Sequence, residues 1–539
     1  MNLDRKDVFV LMFLMMLVLV LTFTNNKGIN IYDQANYANN AYNIAVGKFV
    51  LTPSAITNRF GLLLPAALSI KVFGFSEYSI VFWNIVSFIA LILITLKYVG
   101  SNKKLIIATA VLLILNPILL EYSADFLPDM GSTLFSYVAI FLTYFGLNAS
   151  SSNNKIIYGI LAGIALFVAF SIKVSVFYLA PFFLLLFLLS IKHQSIKFWI
   201  ALALSSAIPL AFTLFAYHLI TGDWLYRLHA IENEHNISQH SYYGKSLAVI
   251  IKRITIDPIV LLLSNPGYSI ITILGLYHLT RVKINIKTKE GYLALFTICT
   301  LIVYWFGSTS LQSYNPLPMQ ERMWIIFIPA LTLLSIYTLV NNKEEKQKNK
   351  FYLVILAPLI GISAYVTFGT PDLKYLSIAG LIFALMLLSL FKFFRIRTYI
   401  LPASIVFVFV VIQVNVAIKV RNINYYYFEE KAVFNKYFSS NEKTLVITDK
   451  SLEEFNSVYY DFSPNPNTTF IWWNSDKLLQ TMKDNYENIY LLQNKTRLVY
   501  SLVLLNESSP DILINQIGEN TLIYNGRHLS LYKYSNLTQ

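Results

Sequence analysis

The run Val8–Phe23, VFVLMFLMMLVLVLTF, leads into Thr24-Asn25-Asn26-Lys27 and then Ile31-Tyr32-Asp33-Gln34-Ala35-Asn36-Tyr37-Ala38. Every residue from Val8 to Phe23 is apolar or hydroxyl-bearing, which is about the length needed to cross a bilayer. No small-x-small cleavage site follows it, so the run reads as a retained first membrane helix rather than a removed signal. A carboxylate, Asp33, then stands just outside the hydrocarbon. A charge so close to the membrane boundary is costly and marks a functional candidate. Asp is also a favoured helix N-cap, so capping of a helix starting near Gln34 is the alternative reading of Asp33.

The rest of the chain extends the same pattern. Of 539 residues, 56% are hydrophobic and 13% charged, about half the charge of a soluble domain. This is a polytopic helical membrane protein. Runs long enough to span are read at 8–24, 77–97, 105–121, 130–148, 156–172, 174–190, 198–220, 258–279, 291–307, 323–340, 351–369, 376–391 and 400–419, about thirteen transmembrane helices. Gly61–Gly74 is apolar but short and reads as a juxtamembrane or re-entrant helix. The lone cysteine, Cys299, lies inside an apolar run and reads as packing.

The net charge of +13 is distributed by side. Arg5, Lys6, Lys97, Lys103, Lys104, Lys155, Lys192, Lys197, Arg281, Lys283, Lys287, Lys289, the run Lys343–Lys350 and Lys392, Arg395 and Arg397 fall in loops of one side. The positive-inside rule makes that side, with the N-terminus, cytoplasmic. The basic excess therefore reports membrane orientation, and nucleic acid is not an expected partner.

An odd number of spans puts the C-terminus outside. From about Arg421 the sequence turns polar and rich in Asn and Tyr, so residues 1–420 read as the membrane domain and 421–539 as an extracytoplasmic domain. Thr444–Thr448 and Ile489–Leu492 have strand character. Ser451–Tyr460 and Ser475–Tyr486 suit helices, and Thr521–Tyr524 with His528–Tyr534 form a hairpin around Asn525-Gly526. Together these predict a small α/β domain. Tyr425-Tyr426-Tyr427-Phe428 reads as an interfacial aromatic belt.

The chemistry-bearing residues fall on the outer side: Asp33, Lys48 and Arg59; Glu121, Asp125 and Asp129; Lys173; the loop 221–257 with Asp223, Arg227, His229, Glu232, Glu234, His235 and His240; and Arg322. Carboxylates and cations gathered at one membrane face suit transfer from a phosphate-bearing lipid. A carboxylate takes the proton of an incoming hydroxyl, and cations stabilise the departing phosphate. Each residue has a structural alternative: a helix cap for Asp125 or Asp129, snorkelling for Lys173, interface anchoring for Arg59 and Arg322. His229, Glu232, His235 and His240 tempt a zinc reading, but outer loops carry such residues without metal, and no metal ligand is assigned.

Tyr32-Asp33-x3-Tyr37-x3-Ala41, Gly47, Arg59-x-Gly61 and Phe73-Gly74 resemble the opening of GT-C glycosyltransferases, in particular the bacterial and archaeal branch related to protein O-mannosyltransferases and aminoarabinose transferases. Asp125-x3-Asp129, Ser171-Ile172-Lys173 and Pro316-x5-Arg322-x6-Pro329 continue the resemblance, which covers about residues 1–340 by motif. It implies an inverting transfer of a sugar from a polyprenyl-phosphate-linked donor to a hydroxyl on a glycan, lipid or protein. Asp33 would be the catalytic base, with Asp125 and Asp129 as further catalytic carboxylates, and Arg59, Lys173 and Arg322 would hold the donor phosphate. No cofactor is required, with a divalent metal as the open alternative. Where many members carry a second acid after the aspartate, this chain has Gln34, which removes one ligand for a metal or contact for an acceptor. An O-antigen polymerase or ligase is the competing enzyme class, but it is dominated by arginine pairs in a late loop. Transporters carry repeats and mid-bilayer charges, which are not evident here.

Overall fold

The computed structural model describes residues 5–30, 32–191, 195–235, 242, 244–310, 313–340, 426–482, 484–498, 510 and 518–537. The expected spans 351–369, 376–391 and 400–419, the basic run Lys343–Lys350 and His240 lie outside the described residues. The chain divides into two compact units. The first comprises Met1–Thr24, Leu51–Leu62 and Trp83–Ala417; the second comprises Asn25–Val50, Leu63–Phe82 and Ile418–Gln539. The second unit thus joins two early segments to the C-terminal residues, a grouping that a single division near residue 420 does not contain.

The helices in chain order are α1 (Arg5–Thr24), α2 (Asp33–Ala45), α3 (Phe60–Phe73), α4 (Glu77–Val99), α5 (Lys103–Ile114), α6 (Pro117–Ser123), α7 (Asp129–Leu147), α8 (Ser152–Ile172), α9 (Ala180–Ser190) and α10 (Ile196–Thr221). There follow α11 (Tyr226–His235), α12 (Leu247–Thr255), α13 (Asp257–Ser264), α14 (Pro266–Leu279), α15 (Lys289–Phe306) and α16 (Phe327–Val340). Among the described residues, α4, α7, α8, α10 and α15 are each long and apolar enough to cross a membrane. The fold is that of a polytopic helical membrane protein, as the hydropathy predicts.

Two expected spans are broken. The run 105–121 forms α5 and α6, bent by 60°, and 258–279 forms α13 and α14. Each break falls at an Asn-Pro pair. Proline is tolerated in the first turn of a helix but not in its interior, and asparagine is a good cap. Asn116 accepts from the amides of Ile118 and Leu119 at 3.1 and 3.2 Å, and Asn265 accepts from that of Gly267 at 2.8 Å. The Asn116 amide also donates to the Gly267 carbonyl at 2.8 Å, so the two breaks are tied together.

In an apolar interior every backbone polar group must find a partner within the protein, and buried tyrosines supply several. The Tyr137 hydroxyl donates to the Ile326 carbonyl at 2.7 Å and accepts from the Ala330 amide at 2.9 Å. It is thereby inserted into the hydrogen-bond ladder at the start of α16, beside Pro329, where the helix is already short of a donor. Tyr292 on α15 donates to the Ile140 carbonyl of α7 at 2.7 Å.

In the second unit, α17 (Tyr426–Tyr437) precedes strands β1 (Thr444–Thr448), β2 (Thr468–Trp472), β3 (Asn488–Asn494), β4 (Gly518–Asn525) and β5 (Leu529–Leu537), with the short helices α18 (Lys450–Phe455) and α19 (Leu478–Thr481) between them. The sheet order is β2-β1-β3-β5-β4. β1 runs parallel to β2 and β3, and β5 runs antiparallel to β3 and β4. β1 and β3 are buried along their whole length, and the expected hairpin around Asn525-Gly526 is present. β2 was not expected from sequence. The aromatic belt at Tyr425–Phe428 is corrected: Tyr426 opens α17, and Tyr427 is core, 1% exposed.

At the carboxyl ends of β1 and β3 lies a buried ionic cluster. Arg497 donates to both Glu430 oxygens at 3.0 and 2.5 Å and to Asp449 at 3.0 Å. Tyr459 donates to Glu430, and Asp449 also caps α18 through the Leu452 amide at 2.9 Å. Burial works against the Arg497 cation, but Asp449 and Glu430 outweigh it and hold its pKa well above the ordinary arginine value. Removing one partner of such a cluster leaves uncompensated charge, at a cost of about 3–5 kcal/mol. Arg497→Met is therefore expected to destabilise the second unit by that amount, read as faster proteolysis within Tyr426–Leu537 while helices of the first unit resist.

Candidate functional site

In the first unit, the end of α8 is where charge collects. Ser171-Ile172-Lys173 leaves the helix, and Lys173 adopts an extended backbone before the next helical turn starts at Val174. Its ammonium does not snorkel outward: the side chain is 13% exposed and forms an ion pair with Asp129, itself 1% exposed. Asp129 is the first residue of α7, whose N-cap position is Pro128 with no side-chain cap bond. Its carboxylate is thus spent on Lys173 rather than on capping. Met323 places its sulfur 3.1 Å from the same ammonium. The other charges acting on Lys173 are Arg322 and Arg59, so the structure brings four of the six sequence-selected residues into one electrostatic neighbourhood.

Each is held by its own local structure. Arg59 directly precedes α3, and Gly61 lets that chain approach α8 closely: a Cβ there would lie 2.3 Å from the Ser171 hydroxyl. Gly61 in the Arg59-x-Gly61 motif therefore has a packing cause, the close approach to Ser171 and Ile172. Arg322 lies in the short 3-10 turn Glu321–Trp324, and its Nε donates to Gln320 at 3.0 Å. That turn is fixed by Tyr268, which donates to the Glu321 carbonyl at 2.8 Å.

Asp125 is buried in the connection from α6 to α7. Asn84 on α4 holds this connection by donating to the carbonyls of Asp125 and Leu127 at 2.5 and 2.9 Å. Glu121, Glu321, Asp125 and Asp129 all act on the Tyr122 hydroxyl.

Three residues near these groups were given no site role in the sequence, although Arg227 stood among the outer-side charges. Arg227 on α11 is 6% exposed, donates to the Ser171 carbonyl at 3.3 Å and stacks over Phe170 at 4.7 Å. Asn84 was hidden inside an apolar run, where a lone amide is itself a signal of a helix-to-loop bond. Arg253, fully buried, donates to the carbonyls of Tyr304, Trp305 and Leu317 and anchors the loop that carries Pro316–Arg322.

Asp33 belongs to the second unit. It is half-buried and is the first residue of α2, with Tyr32 in the N-cap position and no side-chain cap bond there. The N-cap position is thus Tyr32, one residue before Asp33. Of the residues that tempt a zinc reading, His229 pairs with Asp223 at 2.7 Å and Glu232 accepts from Ser310 at 2.7 Å. Among the described residues there is no group of three His, Cys, Asp or Glu suited to a metal ion.

No family model matches the chain, and no curated protein matches it. Among solved structures, it is similar to ArnT from Cupriavidus metallidurans in the apo state, with 12% identity over 98% of each chain and a TM-score of 0.57. It is also similar to the same ArnT bound to undecaprenyl phosphate, with 10% identity over 97% of this chain and 98% of that one and a TM-score of 0.59. At these identities the likeness is one of fold, and it runs through the membrane helices and the C-terminal sheet alike.

The buried Lys173–Asp129 pair makes a stability prediction that separates charge from packing. Lys173→Met leaves the Asp129 carboxylate buried without its cation, at about 3–5 kcal/mol. Adding Asp129→Asn restores most of that loss, as measured by thermal unfolding of the purified protein in detergent.

Proposed function

We propose that the protein is a membrane glycosyltransferase that moves a sugar from a polyprenyl-phosphate-linked donor to a hydroxyl acceptor with inversion. The observation that carries this reading is the gathering of Lys173, Arg59 and Arg322 with Asp129 at the end of α8, in a chain otherwise poor in charge. It is supported by the shared fold with ArnT, an aminoarabinose transferase of the GT-C superfamily that has been seen bound to undecaprenyl phosphate.

In this reading the three cations take the donor phosphate. The acceptor oxygen attacks the anomeric carbon, the bond from that carbon to the phosphate oxygen breaks, and the acceptor proton passes to Asp33. The polyprenyl phosphate leaves as an anion stabilised by the cations. Because phosphate is a good leaving group, no strong general acid is needed. Asp129 keeps Lys173 charged and aimed, and Asp125 is a second carboxylate of the same site. This scheme requires no cofactor. The transferred sugar is a hexose or pentose, and the acceptor is a glycan, lipid or protein.

The same reading places the enzyme in the plasma (inner) membrane as a multi-pass protein with its N-terminus in the cytoplasm and residues 421–539 outside. A reporter fused after Val420 is expected to be active outside the cytoplasm and one fused at Gln347 inside it; the reverse at either point removes the outer-face site.

The catalytic assignment is tested with Asp33→Asn, which keeps the size of the side chain and its place in the first turn of α2. General-base catalysis contributes about 10²–10⁴ in rate, so transfer should fall by that factor while donor binding persists. Near-normal transfer by the purified variant would move the base to Asp125 or Asp129.

A further inference from the structure

We propose that the C-terminal α/β region is a clamp for the first-loop helix α2, with Phe462 as the positioning residue that sets where α2 carries Asp33. This rests on the assignment of Asp33 above. All the contacts involved lie within the second unit.

Asp461 and Phe462 are the positive-φ residues other than glycine among the described residues, at φ 49° and 59°. Side chains rarely adopt this conformation, and two in succession are kept only where the surroundings require it. The turn is closed by the Phe462 amide, which donates to the Ser457 carbonyl at 2.8 Å. It throws the Phe462 ring onto two early segments. The ring stacks on Tyr42 of α2 with centroids 4.5 Å apart and an interplanar angle of 15°, and it meets Phe75 edge-on at 4.7 Å and 84°. Both geometries are favourable for aromatic pairs.

Two further contacts fix the same segments. Lys431 on α17 bridges Asp461, at 3.1 Å, and Glu77, at 3.4 Å. Gly28, five residues before Asp33, has φ 78° and lies so close to Tyr427 that a Cβ would stand 2.0 Å from its ring. The chain entering α2 is thus held at Gly28, the helix at Tyr42 and the chain beyond it at Phe75 and Glu77. Along α2, Tyr42 is nine residues from Asp33, which is about 13 Å down the axis and about half a turn around it. The stack on Tyr42 therefore lies about half a turn around the helix from Asp33.

The test compares the full-length wild type with Phe462→Ala and Phe462→Tyr in one detergent. Hydrogen exchange comes first, because it does not depend on the reaction. The amides of Asp33–Ala45 should exchange about tenfold faster in F462A, with β1 and β3 unchanged and F462Y like the wild type. Unchanged exchange in α2, or equal loosening of β1 and β3, overturns the clamp. Turnover with a polyprenyl-phosphate sugar comes second. Small displacements of a catalytic group cost up to about a hundredfold in rate, so F462A should lose about tenfold or more in kcat with donor KM within about twofold, and F462Y should recover it. A wild-type kcat in F462A, or a loss matched by unfolded protein, refutes the positioning role. A wild type without transfer activity overturns the proposed function instead, and the exchange result then decides the clamp alone.

Discussion

The ion pair of Lys173 with Asp129 is the constraint around which the first unit is arranged. Two opposite charges, one of them almost fully buried, are tolerable in an apolar bundle only as partners. Their pairing fixes the end of α8 against the start of α7. Other groups then follow: Gly61 gives the start of α3 room to approach Ser171, Arg227 closes on the Ser171 carbonyl, and Met323 of the turn Glu321–Trp324 sets its sulfur 3.1 Å from the Lys173 ammonium. The site is thus a consequence of how one costly pair is accommodated.

The second unit solves a related problem differently. Arg497, Glu430 and Asp449 are also buried, but they sit at the carboxyl ends of parallel strands and tie α17 to the sheet. Here the charges hold a domain together and leave no cation unmatched. In the first unit the Lys173–Asp129 pair joins the end of α8 to the start of α7, with Arg322 and Arg59 among the charges acting on Lys173.

Much of this was legible in the sequence because charge in an apolar chain is conspicuous. Asp33, Asp125, Asp129, Lys173, Arg59 and Arg322 all stood out for that reason, and β1 and the closing hairpin were readable from short apolar runs and Asn-Gly. What failed to show was pairing through space. Asp129 looked like a cap and Lys173 like a snorkelling side chain, and nothing local joins residues 44 positions apart. The breaks at Asn116-Pro117 and Asn265-Pro266 did carry a signal that continuous hydropathy masked. Tyr427 looked like a membrane belt because aromatic clusters at the end of a span usually are; its burial depends on Gly28 and Tyr459, far away in the chain. β2 is short and partly exposed, so its alternation was too weak to read.

The composition of the second unit also bears on how the protein is made. Its early segments, Asn25–Val50 and Leu63–Phe82, leave the ribosome long before the residues they pack against. Tyr42 precedes Phe462 by 420 positions, which at roughly 5–20 residues per second is a delay of about 20–80 seconds. For that interval the helix that opens with Asp33 has no C-terminal sheet to rest on, and its aromatic side chains must be sheltered by other means. Assembly of the unit is therefore a last event of biosynthesis, and a nascent chain that stops short of the sheet leaves its first loop without its fold.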